Sequence, residues 1–179
     1  AAIGNHELDY GPDVPGRVHV MPGEDGIGNL KRRVAEASFA WLSSNWLESG
    51  TKKPIFEAHK IFKLGEITAC IIGATTPGTK DITRPEYVKG TVFTSLRNAV
   101  LKEVAWLKKN ENCTFTILTV HAGLECGLAG CLERGDKAEV LMLLESIPEH
   151  TLDAVIAGHT HMPAQEVIRG TPVIEAGAY

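Results

Sequence analysis

Hydrophobic positions along this chain follow short, changing periods. Leu30, Val34 and Ala37 recur at helical spacing after Asn29, a helix-capping residue, so a helix is expected over roughly 30–37. Phe39-Ala40-Trp41-Leu42-Ser43 is apolar and aromatic and reads as a strand, and residues 48–54 read as a turn. Residues 59–64 alternate loosely, Gly65 turns the chain, and 67–73 are apolar and β-rich, which together predict a hairpin. Residues 12–28 and 75–90 are punctuated by Pro and Gly without periodicity and read as loops.

The second half alternates more cleanly. Thr94 is placed to cap a helix reaching about Asn110, with Leu96, Val100, Leu101, Val104 and Leu107 on one face. Residues 115–120 predict a strand ending on His121, followed by a long Gly-rich loop. A helix over about 136–146 carries Val140, Leu141, Leu144 and Ile147 inward. A strand over 153–157 ends on Gly158-His159. Two more, 165–168 and 172–176, turn at Gly170-Thr171. Helix–strand–helix–strand order predicts an α/β fold with ligands at the carboxyl ends of its strands.

Composition narrows the classes. A chain of 179 residues with 44% hydrophobic and 22% charged residues suits one globular domain. The net charge of −4, with no dense Lys/Arg cluster, argues against a nucleic-acid partner. Lys31-Arg32-Arg33 reads as the solvated face of a helix. No apolar stretch reaches membrane-spanning length. Ala1-Ala2-Ile3-Gly4 lacks signal-peptide character and reads as an interior strand entering a loop, so an upstream segment is expected. Cys70 lies in an apolar run and is expected to be an inert buried thiol. Cys126 and Cys131, five apart, leave a disulfide, two free thiols and an accessory metal pair all open.

Candidate chemistry lies in three Gly-flanked segments: Gly4-Asn5-His6-Glu7-Leu8-Asp9-Tyr10-Gly11, Thr119-Val120-His121-Ala122-Gly123 and Gly158-His159-Thr160-His161. Neutral imidazoles at His121, His159 and His161 are ligands for zinc-like divalent metals, and Asn5 adds a harder carbonyl oxygen. His6, three residues before Asp9, forms an Asp-oriented imidazole able to donate a proton or stabilise charge. Two metals close together would clamp an in-line displacement at phosphorus and supply a hydroxide near neutral pH. Taken singly, Asn5 is a turn residue, Asp9 a loop acid, and two-apart histidines a weak signal. Their joint occurrence shifts the balance. His19, His59 and His150 keep the bland reading, and Asp81, Glu125, Arg134 and Asp136 read as solvated loop residues.

These three segments resemble the second half of the calcineurin-like metallophosphoesterase signature. The run Gly4 to Gly11 is similar to the 5′-nucleotidase family in particular, where Leu8 is more often Phe. Ser44-Asn45, Ile72-Gly73-Ala74-Thr75-Thr76 and Ile174-Glu175-Ala176-Gly177-Ala178-Tyr179 also fit, so the resemblance spans the chain. It implies a two-sheet β-sandwich flanked by helices, in four αββα layers. It implies two divalent metal ions (Zn, Mn, Fe, Mg or Ca): Asn5, His121 and His159 on one, His161 on the other, with His6 and Asp9 catalytic. It implies a nucleotide or related phosphoester as substrate and an extracytoplasmic location. Cyclic-nucleotide, nucleotide-sugar and sulfur-ester hydrolysis on the same scaffold are the alternatives, as is a non-catalytic binding module. The family's opening Asp-x-His and Gly-Asp motifs and its C-terminal substrate domain are not in residues 1–179. A partial catalytic domain with little activity of its own is therefore expected, belonging to a dinuclear parent enzyme.

Overall fold

A computed structural model of the chain describes residues 1–127, 130–133, 135 and 137–178. In chain order its elements are α1 (Gly28–Glu36), β1 (Trp46–Glu48), β2 (His59–Leu64), β3 (Ile67–Thr75) and the single-turn α2 (Thr79–Ile82). Then come β4 (Thr91–Phe93), α3 (Leu96–Asn110), β5 (Phe115–His121), β6 (Glu125–Gly127) and β7 (Gly130–Glu133). The last are α4 (Glu139–Ser146), β8 (Ala154–Ala157), β9 (Ala164–Ile168) and β10 (Thr171–Glu175).

Six strands form the main sheet in the order β2-β3-β5-β8-β10-β9. The central four run parallel, and the edge strands β2 and β9 are antiparallel to their neighbours. The expected hairpin is β2–β3, in register from His59 opposite Ile72 to Leu64 opposite Ile67. Parallel pairing brings the carboxyl ends together: Thr75 lies opposite His121, and Ala157 opposite Glu175. A short ribbon, β1 with β4, forms a separate sheet, and β6 pairs with β7. The architecture is mixed α/β, with sheets flanked by helices.

Two cores hold it. One packs α3 and α4 on the sheet, through Cys70, Ile72, Leu118, Val120, Val155 and Val173 from the strands and Val100, Leu107, Val140 and Leu144 from the helices. The other gathers Ile3, Leu8, Ile27, Leu30, Trp46, Phe56 and Tyr87. Trp46 is fully buried and stacks on Phe93 at 4.9 Å between ring centroids.

Several expectations change in three dimensions. Residues 39–43 form no strand: Leu42 makes lone bridges to Ala2 and Glu57, and the paired strand begins later, at Trp46. Asn29 does not cap α1; its N–H donates to Gly11 O, tying the N-terminal loop to the first helical turn. Ser95, not Thr94, caps α3, its hydroxyl accepting from Asn98 N–H, while Thr94 N–H is engaged by Asn45 O. The loop 75–90 contains α2. The stretch after His121 is a ribbon rather than a plain loop, and α4 begins at Glu139. Its expected start, Asp136, lies outside the described residues, as do Arg134 and Tyr179.

Cys70 is buried but not free. It is bonded to Cys113, with the two Cα atoms 5.8 Å apart. Parallel pairing sets Cys70 opposite Thr116, and Cys113 lies three residues before that partner, so the crossover brings the two sulfurs together. Cys126 and Cys131 take the disulfide alternative, across the β6–β7 ribbon.

Candidate active site

The first loop is anchored on both sides by burial. Ile3 and Leu8 are fully buried in the second core, so Asn5 and His6 between them are held in place, Asn5 against the carboxyl end of β5. A 3-10 turn over His6–Leu8 follows, and Glu7 Oε2 accepts from Gly4 N–H at 2.6 Å. This turn brings Asp9 back under His6: Nδ1 of the ring and Asp9 Oδ2 are 2.9 Å apart, both side chains largely exposed.

Strand β5 alternates, with Thr116, Leu118 and Val120 buried. His121 is out of phase with these, so its ring leaves the α3–α4 core. It meets Asn5: Nε2 lies 2.9 Å from Asn5 Oδ1. His159, just past β8, completes the group, its Nδ1 3.1 Å from the same His121 Nε2. Gly4 makes this approach possible, since a β-carbon there would stand 2.7 Å from His121 Cγ and Nδ1.

Electrostatics favour neutral rings. Burial holds His121 down to about 4 from its ordinary 6.5, aided by charge at His159, His6 and His161. His159 is lowered by burial, then by His161 and His6. His6 and His161 therefore lie within electrostatic reach of both, although His161 is exposed. Unprotonated imidazoles keep their lone pairs for a ligand. Two ring nitrogens and an amide oxygen crowding one point suit a borderline divalent cation. Among the described residues, no group of three or more His, Cys, Asp or Glu side chains is placed to hold a metal ion.

A buried polar group stands behind the site. Asn45 accepts from Thr75 N–H and donates to Thr75 O and Thr94 O. Thr75 Oγ1 donates to Ile3 O at 2.7 Å and lies 2.9 Å from Ser43 Oγ. The end of β3, the N-terminal segment and the run before β1 are thus joined two residues from Asn5. Sequence periodicity carried no sign of this network, and Asn45 stood out only through family resemblance.

Two of the histidines given a bland reading have ordinary partners. His59 Nδ1 pairs with Glu103 at 2.8 Å and its ring packs on Trp106, while His19 lies near Glu86. Asp81 is exposed.

No family model matches the chain. A 5′-nucleotidase of Vibrio cholerae is 32% identical over 163 residues, covering 90% of this chain and 26% of the relative. The chain thus spans about a quarter of the length of the curated relatives it matches. In fold it is similar to a Staphylococcus aureus protein described as a 5′-nucleotidase (TM-score 0.74, 23% identity, 98% of this chain and 31% of that one). It is similar also to the calcineurin-like phosphoesterase YfkN of Bacillus subtilis (TM-score 0.75, 16% identity, 98% of this chain and 53% of that one). Sequence kinship and shared fold agree with the three converging loops: over most of its length the chain is homologous to 5′-nucleotidases, and it has the fold of the calcineurin-like phosphoesterase.

Proposed function

We propose that the protein containing this chain is a metal-dependent phosphoric ester hydrolase acting on nucleotides. The convergence of Asn5 Oδ1, His121 Nε2 and His159 Nδ1 near the His6–Asp9 pair carries the reading. The family uses divalent metal ions, and the donor set here fits them. Asn5, His121 and His159 would hold one ion, and His161 would serve a second. Bound there, such ions supply Lewis-acid polarisation of a phosphoryl oxygen and activation of water.

The chain's own groups do the rest. Low basicity at His121 and His159 keeps protons from competing for their ring nitrogens near neutral pH. Asp9 fixes the His6 ring through Nδ1, which leaves Nε2 as the atom that gives a proton to a departing ester oxygen. Two disulfides support an oxidising, extracytoplasmic compartment. No helix among the described residues is long and apolar enough to cross a membrane.

The test is phosphate release from AMP by the full-length protein with Mn²⁺, Zn²⁺ or Co²⁺, before and after EDTA. Turnover that EDTA abolishes and metal restores is expected. His6→Ala should lower kcat by about 10²–10⁴-fold while metal content stays unchanged. No phosphate release with any of the three metals, or turnover indifferent to EDTA, overturns the reading.

A further inference from the structure

Glu175 ends β10 at a position in phase with the buried Thr171 and Val173, so its carboxylate enters the packed side of the sheet. It is only 5% exposed. A carboxylate is costly to bury unless donors surround it, and three reach this one. Oε2 accepts from Leu124 N–H at 2.8 Å. Oε1 accepts from Thr160 N–H at 3.1 Å and from the Thr160 hydroxyl at 2.5 Å. Leu124 lies three residues past His121, and Thr160 lies between His159 and His161.

The loop it grips needs gripping. His159 and His161 both have left-handed backbones, with φ of 85° and 61°. A non-glycine residue in this region costs on the order of 1–3 kcal/mol, and it persists only where surrounding structure enforces it. The two histidines flank the one residue that Glu175 holds twice. Gly123 confirms how closely the parts fit: a β-carbon there would stand 2.5 Å from Glu175 Oε1 and 2.6 Å from Thr160 Cγ2.

We infer that Glu175 is a positioning residue that sets the His121 and His159 imidazoles against each other, one oxygen clamping the loop behind each. The inference rests on the proposed metal site for its consequence, though not for its geometry. A carboxylate is required because both oxygens must accept. The amide of Glu175→Gln keeps one acceptor and turns an N–H against an N–H.

The experiment titrates full-length wild-type, Glu175→Gln and Thr160→Val proteins with Co²⁺, read by its visible absorption. It also records ring-nitrogen NMR signals of His121 and His159 without metal. Glu175→Gln should bind Co²⁺ about 10- to 100-fold more weakly, as loss of a group orienting metal ligands does. Its ring signals should move. Thr160→Val keeps the carboxylate and the Leu124 bond, so a smaller loss in the same direction is expected; it decides the matter if Glu175→Gln does not fold. Unmoved ring signals with Co²⁺ affinity within about twofold of wild type overturn the inference. If wild-type protein takes up no Co²⁺, the metal reading falls, and the ring signals alone then decide: moved signals support the positioning role and unmoved ones refute it.

Discussion

Asn45→Ala probes the polar group behind the site. Asn45 is fully buried and contacts three backbone groups: Thr75 N–H at 2.8 Å, Thr75 O at 2.7 Å and Thr94 O at 3.1 Å. Alanine removes the partner of all three, the two on Thr75 buried and Thr94 O part-buried. Each orphaned group costs roughly 1–3 kcal/mol, and a water entering the vacated space recovers part, so a loss of about 3–5 kcal/mol is expected. That is a large share of the roughly 5–15 kcal/mol that holds a typical domain. Two companions separate hydrogen bonding from packing. Asn45→Asp preserves volume but turns a second acceptor on two carbonyl oxygens, so it should also destabilise strongly. Ser43→Ala removes a hydroxyl that contacts Thr75 Oγ1 at 2.9 Å and Asn45 Oδ1 only distantly, at 3.5 Å, and should cost only about 1 kcal/mol. Urea unfolding followed by tryptophan fluorescence is a suitable assay, because Trp46 adjoins Asn45 and is fully buried. An Asn45→Ala protein within about 1 kcal/mol of wild type at equal m-value, or an Asn45→Asp protein as stable as wild type, refutes the reasoning.

Other consequences are equally direct. Gly4→Ala drives a β-carbon into the His121 ring, so it should destabilise by about 1–3 kcal/mol and weaken Co²⁺ binding; calorimetric titration showing unchanged affinity would count against the site geometry. Reducing the Cys70–Cys113 bond, which spans 43 residues, should lower stability by about 4 kcal/mol on the chain-entropy estimate. Thermal unfolding with and without reductant measures this, with thiol titration to confirm that the bond has opened. Without metal, His121 resists protonation down to about 4 while the unfolded chain accepts protons near 6.5. Below 6.5 the unfolded state thus binds more protons, so stability should fall as pH drops from 6.5 toward 4 and be fully present above it. His121→Asn should flatten that slope, and a metal-free wild-type melting temperature that rises as pH drops through this window contradicts it.

Much of the fold was legible because strands and helices here obey local periods. The β2–β3 hairpin, α3, and strands β5, β8, β9 and β10 lie within a residue or two of their expected ranges. The Gly-flanked histidine loops were legible for a related reason: Gly beside a strand end signals a turn, and Asn, His and Asp at fixed spacing signal chemistry. His6 with Asp9 follows from a three-residue separation within a single turn. What failed were features whose partner is remote in sequence. Residues 39–43 have the composition of a strand but lack a continuous partner among the described residues. Cys70 sits in an apolar run, and nothing near it in sequence announces Cys113. Asn29 looks like a cap until Gly11 claims its N–H.

The sequence by itself determined the longer helices, the ends of the main-sheet strands and the residue types that carry the chemistry, since these depend on interactions a few residues in range. Only the tertiary structure decided that Asn5, His121 and His159 meet at one point, 116 residues separating the first two. It alone decided that Asn45 and Glu175 stand buried behind them. The reason is physical: a parallel sheet brings strand ends together through long crossovers. Burial then makes each polar group there depend on partners that no local pattern names.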